Sequence, residues 1–326
     1  CFPLSEQGSH GAVCFCAGGK LMNTAFLFPG QASQKIGMGF DLFQKSELGK
    51  KYYDLANDIL DCDIQDISFN GPEKILKQTK YTQPAIYVVS VILGKLLLDK
   101  GFTLSVAAGH SLGEYSALTI AGAFNFRTGL KLVKCRAESM QTAGEIQNGT
   151  MAAIIGLSDD KIQSICGSCS NGNVVVPANY NSPGQVVISG EVSAVHLAMN
   201  KATEAGARNV IRLNVSGAFH SPLMTPAREA LAEILNSIEI RDTIIPVYLN
   251  VSAEPVTKRS DIRNGLISQL EKPVLWHKTI TTMNKNKINK YVEIGPGRVL
   301  QGLNRRINRT FQTTGIETLD DVIHYV

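Results

Sequence analysis

Three observations predict an α/β fold in which a small unit interrupts a larger one. Apolar runs of strand character alternate with segments of helical spacing along most of the chain. One such run, 104–108, ends in Gly109-His110-Ser111-Leu112-Gly113 and passes at once into helical spacing, which is the strand, sharp turn and helix of a nucleophile elbow. Between 149 and 215 the rhythm shortens to strand, helix, strand, strand, helix, strand, the order of a ferredoxin-like unit.

The 326 residues, 44% hydrophobic and 18% charged, are enough for one large domain with an insertion. No run of about 18 apolar residues is apparent, so neither a spanning helix nor a membrane partner is expected. A net charge of +4, evenly spread, argues against nucleic acid, whose binders gather Lys and Arg on one face, and is compatible with an acidic protein partner. Seven cysteines at irregular spacings make no disulfide framework, and Cys166-x-x-Cys169 has no second pair to complete a zinc site. Reduced thiols, no metal and a cytoplasmic location are therefore expected. Residues 1–21 hold Cys1, Cys14 and Cys16 in Gly/Ser-rich spacing without the basic start and apolar core of a secretory signal. They are expected to be a disordered upstream extension without a role, with Met22 as the natural start.

The first strand is expected at 24–28, running into Pro29-Gly30-Gln31, a turn on the side where open α/β sheets place their ligands. Helical patterns follow over about 38–60, and 70–81 reads as loop. Thr82-Gln83-Pro84 is expected to open a long apolar helix to Leu98, with Pro84 in the first turn, where its missing N–H costs nothing. In the elbow, Gly109 and Gly113 are small because the turn is sharp, and the turn lifts the Ser111 hydroxyl above the sheet edge. The Leu112 amide then lies at a helix N-terminus, where an unpaired N–H and the helix dipole can hold a developing negative charge. Ser111 is the candidate nucleophile. The plainer reading is that Gly-x-Ser-x-Gly fixes only three positions in a chain with 29 glycines, and the flanking strand and helix are what favour the chemical one.

A helix over 126–143 carries an apolar arc of Gly129, Leu130, Leu132, Val133, Ala137 and Met140, and Arg136 falls inside it. A guanidinium turned toward a core needs an anion. Two readings stand: an internal salt bridge or snorkelling side chain, and a fixed site for a substrate carboxylate held bidentately. The inserted unit is expected to have strands at 151–157, 173–179, 185–189 and 208–215, with helices at 159–166 and 192–205. The chain leaves it through a turn-rich stretch, 216–224, that contains His220. A general base could be His220 or His110, and geometry must decide between them; His196 sits in the inserted unit's helix beside polar residues, and His10, His277 and His324 have no motif around them. A closing α/β portion is expected with a strand at 245–251, helices at 261–270 and 275–284, a strand at 291–294 and a helix bearing Arg298, Arg305, Arg306 and Arg309. The turn Gly295-Pro296-Gly297 before that helix lacks the spacing of a nucleotide loop and is given a structural role.

Six blocks taken in order resemble the malonyl-CoA:acyl carrier protein transacylase family: Phe28-Pro29-Gly30-Gln31, Gly109 to Leu118, Arg136, Asn179-Tyr180-Asn181-Ser182-Pro183-Gly184-Gln185, Phe219-His220-Ser221 and Glu293-Ile294-Gly295-Pro296-Gly297. The likeness covers about residues 22 to 310. It implies an α/β-hydrolase-like large subdomain, 22–148 and 216–312, with a ferredoxin-like small subdomain at 149–215 and a C-terminal tail at 313–326. It also implies a ping-pong transfer of malonyl from malonyl-CoA through a Ser111 ester to the phosphopantetheine thiol of acyl carrier protein, supplying fatty acid biosynthesis without a cofactor. By the same resemblance His220 is base and acid, the amides of Gln31 and Leu112 form the oxyanion hole, and the backbone carbonyl of Gln269 orients His220. Arg136 then binds the free malonyl carboxylate, and His110, Phe219 and Asn181 line the substrate space. Phe219 matches the malonyl-specific pattern; Gly217 departs from malonyl-type polyketide modules, which often carry His there. Family members are commonly monomeric, so a monomer is expected. Three other functions compete: a free-standing polyketide acyltransferase, a serine thioesterase or hydrolase on the same elbow, and a carrier-docking module with a dead site.

Overall fold

The computed structural model describes residues 23–170 and 172–325, and the extension expected over 1–21 lies outside them. Strand β1 (Thr24–Phe28) is buried at every position, as a central strand covered on both faces must be. The helical stretch after it splits into α1 (Phe40–Lys45) and α2 (Glu47–Leu60), because Ser46 is extended and its hydroxyl caps α2 by accepting from the Gly49 amide. Two short helices, α3 (Ile64–Phe69) and α4 (Glu73–Leu76), lead into α5 (Thr79–Asp99).

Here the structure corrects two expectations. Part of the stretch read as loop is helical, and α5 starts early enough to place Pro84 inside the helix rather than in its first turn. The Thr82 hydroxyl donates back to the Gln78 carbonyl at 3.1 Å and ties that turn. The carbonyl that Pro84 cannot reach belongs to Lys80, a half-buried residue at the open end of the helix. Helix α5 is also long and apolar enough, by length and composition alone, to cross a membrane, contrary to the reading of the sequence; here it is a core helix, buried from Thr82 through Gly94.

Strand β2 (Val106–Gly109) is followed by α6 (Gly113–Ala121) and α7 (Phe126–Ile146). Next come β3 (Gly149–Ile155), α8 (Asp159–Cys169), β4 (Val175–Ser182), β5 (Gln185–Glu191), α9 (Val192–Glu204) and β6 (Asn209–Arg212). These four strands form a separate antiparallel sheet in the order β4-β5-β3-β6, with its own core around Ile154, Ile162, Ile188 and Val195. Cys166 and Cys169 are buried in that core as free thiols.

The chain returns through α10 (Thr225–Ser237), β7 (Val247–Tyr248), β8 (Pro255–Val256), α11 (Arg259–Gln269), α12 (Trp276–Lys285), β9 (Lys290–Ile294), α13 (Val299–Ile307), β10 (Gln312–Ile316) and α14 (Leu319–His324). The large sheet runs β10-β9-β1-β2-β7-β8, parallel except where β8 turns back on β7. Residues 313–326, expected as a tail, therefore include most of an edge strand and a helix that buries Val322. Their sequence hid this because an edge strand such as Gln312-Thr313-Thr314-Gly315 carries no apolar alternation. The strand expected over 245–251 shrinks to its first paired residues, Val247 and Tyr248.

Because β1, β2 and β9 are parallel neighbours, their carboxyl ends bring three turns to one sheet edge: Pro29-Gly30-Gln31, the elbow, and Gly295-Pro296-Gly297. Gly295 (φ 140°) lies against Pro29 and Ser90, where a Cβ would sit 2.8 Å from the proline ring, so the last turn packs the first.

Candidate active site

The elbow is as tight as its glycines require. A Cβ on Gly109 would overlap the Gly113 carbonyl group, and one on Gly113 would overlap the Phe28 carbonyl oxygen. Between them Ser111 takes a left-handed conformation, φ 52°, and its side chain stands at the start of α6. Ser111 Oγ lies 2.8 Å from His220 Nε2. His220 Nδ1 is 2.8 Å from the Gln269 backbone carbonyl, an acceptor only, so Nδ1 carries the proton and Nε2 is left to accept from the serine hydroxyl.

His220 is 3% exposed, and its pKa is pushed down to about 3, first by burial, then by the field of Arg136. The ring is thus neutral at rest. Geometry also separates the two histidines. His110 points elsewhere, with Nε2 2.8 Å from Asn181 Oδ1 and its ring 5.5 Å from that of Trp276; burial lowers its pKa too.

Arg136 is fully buried on α7, which rules out snorkelling. Its Nη1 donates to Gln83 Oε1 at 2.6 Å, and its Nη2 donates to Ser111 Oγ and Gln269 Oε1, both at 3.0 Å. Those acceptors are neutral, and Nε meets no hydrogen-bond acceptor among the described residues. The guanidinium lies over the Tyr115 ring, 5.4 Å from its centroid. Glu114 acts on it only through space, and burial pushes that carboxyl up to about 7. The salt-bridge reading of Arg136 therefore fails among the described residues. A buried cation hydrogen-bonded to neutral acceptors, one of them the Ser111 hydroxyl, can receive an incoming anion.

The turn after β1 completes the arrangement. Gly30 lets it lie against the elbow, since a Cβ there would overlap the His110 carbonyl oxygen. The backbone amides of Gln31 and Leu112 donate to no other described group, whereas their neighbours Gly113 and Glu114 donate to His110 and Ser111 carbonyls. Phe219 is buried, with its ring against Gly217. Among the described residues no three His, Cys, Asp or Glu side chains gather as metal ligands.

Sequence reasoning missed Gln83, Glu114 and Asn250. The signal for Gln83 was present: a polar residue in a helix apolar nearly all round has to be satisfied inside the fold.

The family profile of the acyl transferase domain matches residues 25–319. A Bacillus subtilis (strain 168) protein named malonyl CoA-acyl carrier protein transacylase is 41% identical over 90% of this chain and 92% of its own. The solved structure of the malonyl CoA-acyl carrier protein transacylase from Coxiella burnetii superposes with a TM-score of 0.89 at 39% identity, covering 93% of this chain and 96% of that one. A malonyl-transacylase solved in complex with its type II polyketide acyl-carrier protein also gives 0.89 at 39% identity, over 92% of this chain and 97% of its own.

Proposed function

The chain belongs to the malonyl-CoA:acyl carrier protein transacylase family of acyl transferase domains, and from that membership we propose that it moves malonyl from malonyl-CoA to acyl carrier protein. The observation that carries the reading is Arg136, a buried cation with no ion pair among the described residues, hydrogen-bonded to Ser111 Oγ.

In the first half-reaction Ser111 Oγ attacks the thioester carbonyl while its proton passes to His220 Nε2, and the amides of Gln31 and Leu112 hold the oxyanion. Collapse breaks the C–S bond, and the coenzyme A sulfur takes the proton from His220, leaving a malonyl-Ser111 ester. In the second, the phosphopantetheine thiol gives its proton to His220 and attacks the ester carbonyl; the serine oxygen leaves and recovers the proton. The Gln269 carbonyl holds the imidazole in the required tautomer throughout.

The free malonyl carboxylate docks on Arg136. Two charge-assisted hydrogen bonds at about 1.5–3 kcal/mol each amount to roughly 10²–10⁴-fold selection over a neutral acetyl group. Docking has a second effect. It neutralises the cation that depresses His220, so the substrate raises the basicity of the group that activates Ser111. His110, Asn181 and Phe219 line the acyl space in this reading. Residues 149–215 act as a small subdomain over a catalytic body made of the flanking segments.

For the carrier, Lys131, Lys134, Arg305 and Arg306 are basic side chains that could steer an acidic partner. Arg305 and Arg306 line a cavity of about 860 Å³ with Arg208 and Arg309, between the small sheet and α13. Lys134 instead donates to the Ile59 carbonyl on α2. We therefore assign the steering of an acidic carrier to the arginine group. The protein acts as a cytoplasmic monomer, without cofactor or metal and without a nucleic acid or membrane partner, and its product is the extender unit of fatty acid biosynthesis.

Initial rates against malonyl-CoA and holo-carrier protein test the mechanism. A covalent relay gives parallel double-reciprocal lines and no transfer by Ser111→Ala. Intersecting lines, or release of free malonate faster than transfer, would favour direct transfer or a hydrolase.

A further inference from the structure

Strand β7 runs parallel to β2 with Tyr248 opposite Ala108, and the backbone ladder stops there. At the level of His110 the chain is already turning, and the side chain of Asn250 takes the place of a strand residue. In a parallel ladder a residue donates to one carbonyl of its neighbour strand and accepts from the amide two residues further on. Asn250 does both with its carboxamide: Nδ2 donates to the Gly109 carbonyl at 2.6 Å, and Oδ1 accepts from the Ser111 amide at 2.7 Å.

The brace is itself fixed. Asn250 is 2% exposed, its own N–H donates to Glu114 Oε2 at 2.6 Å, and its carbonyl accepts from the Leu275 amide at 2.9 Å. The other groups of the turn are also bound. His110 N donates to the Phe28 carbonyl, the His110 carbonyl accepts from Gly113 N, and the Ser111 carbonyl accepts from Glu114 N and Gln269 Nε2. The next amide, that of Leu112, is the one left without an acceptor.

We infer that Asn250 is a positioning residue for acyl transfer: its carboxamide holds Ser111 in the left-handed turn, aiming Oγ at His220 and the free Leu112 N–H at the developing oxyanion. Glu114 supports it by holding the Asn250 backbone. The inference rests on Ser111 being the nucleophile, and its primary readout, the rate of labelling, needs no malonyl group.

Ser111 is titrated with a fluorophosphonate: the serine oxygen bonds to phosphorus as fluoride leaves, the hydroxyl proton passes to His220, and the phosphoryl oxygen uses the same oxyanion donors. The wild type is compared with Asn250→Ala, with Asn250→Leu, which restores bulk without hydrogen bonds, and with Ile162→Ala, a cavity in the core of the small sheet. The expected result is phosphonylation slowed about 10²–10³-fold in both Asn250 variants, the range for loss of an oxyanion-hole donor. The KM for malonyl-CoA should stay within a few-fold, and Ile162→Ala should lower the melting temperature without slowing labelling. Wild-type labelling rates in Asn250→Leu would overturn the inference, as would slowing that merely follows the melting temperature across all variants. Failure of both Asn250 variants to fold would also overturn it, because the side chain would then hold the fold rather than the nucleophile. Normal labelling of the wild type without any malonyl ester would refute the proposed substrate and leave the role of Asn250 to the comparison of variants.

Discussion

Ser111 and His220 both sit in the left-handed region, φ 52° and 58°, at a cost of about 1–3 kcal/mol each that persists only where surrounding bonds over-determine the backbone. The pKa of His220 is lowered first by burial and then by the neighbouring Arg136 cation. In the proposed mechanism the working form of His220 is neutral, so protonation stops the reaction and a lowered pKa extends activity toward acid. The account predicts that kcat/KM for malonyl-CoA stays level from neutral pH to about 5, past the ordinary histidine value near 6.5. In Arg136→Ala the second cause of the depression is gone, and the acid limb should move up toward that ordinary value. A pH profile of both proteins checks this, and an unmoved limb would mean that burial alone sets the base. At this scale the sequence was informative about Ser111 and Arg136, because an elbow has a spacing and a misplaced charge stands out on a helical wheel. Gln83 was legible only as a polar residue needing a partner inside the fold, and Asn250 not at all, since each works through a side-chain amide whose partners lie far away in sequence.

Among the elements, long periodic segments were readable and short ones were not. Helix α7 and the alternation of the small unit carry strong patterns, whereas β7 is two residues long and β10 has a polar edge sequence. The start of α5 was misplaced because Pro84 was taken as a boundary marker, while tertiary packing carries the helix past it. The segment read as a tail gives a direct test. Ile316 is 2% exposed at the end of β10, so Ile316→Ala should cost about 2–5 kcal/mol in urea unfolding, as large-to-small changes in a core do. A free tail would give a change within about 0.5 kcal/mol.

For the whole molecule, the parallel sheet gathers the turns after β1, β2 and β9 at one edge, and the antiparallel sheet meets α12 and α13 through β4, with the arginine-lined cavity beside α13. If those arginines steer an acidic carrier, kcat/KM for the carrier should fall as salt rises, and Arg306→Glu should reduce it further while leaving loading from malonyl-CoA unchanged. Charge reversal without effect on either would remove the cavity from the docking surface. The central claim is that Ser111 carries the malonyl group and Arg136 chooses it. Intact-protein mass after brief mixing with malonyl-CoA or acetyl-CoA tests both halves for wild type, Ser111→Ala and Arg136→Ala. The account predicts one malonyl group on the wild type, none on Ser111→Ala, and a shift from malonyl toward acetyl on Arg136→Ala. A malonyl adduct that survives in Ser111→Ala, or an Arg136→Ala protein that still prefers malonyl to acetyl, would contradict it.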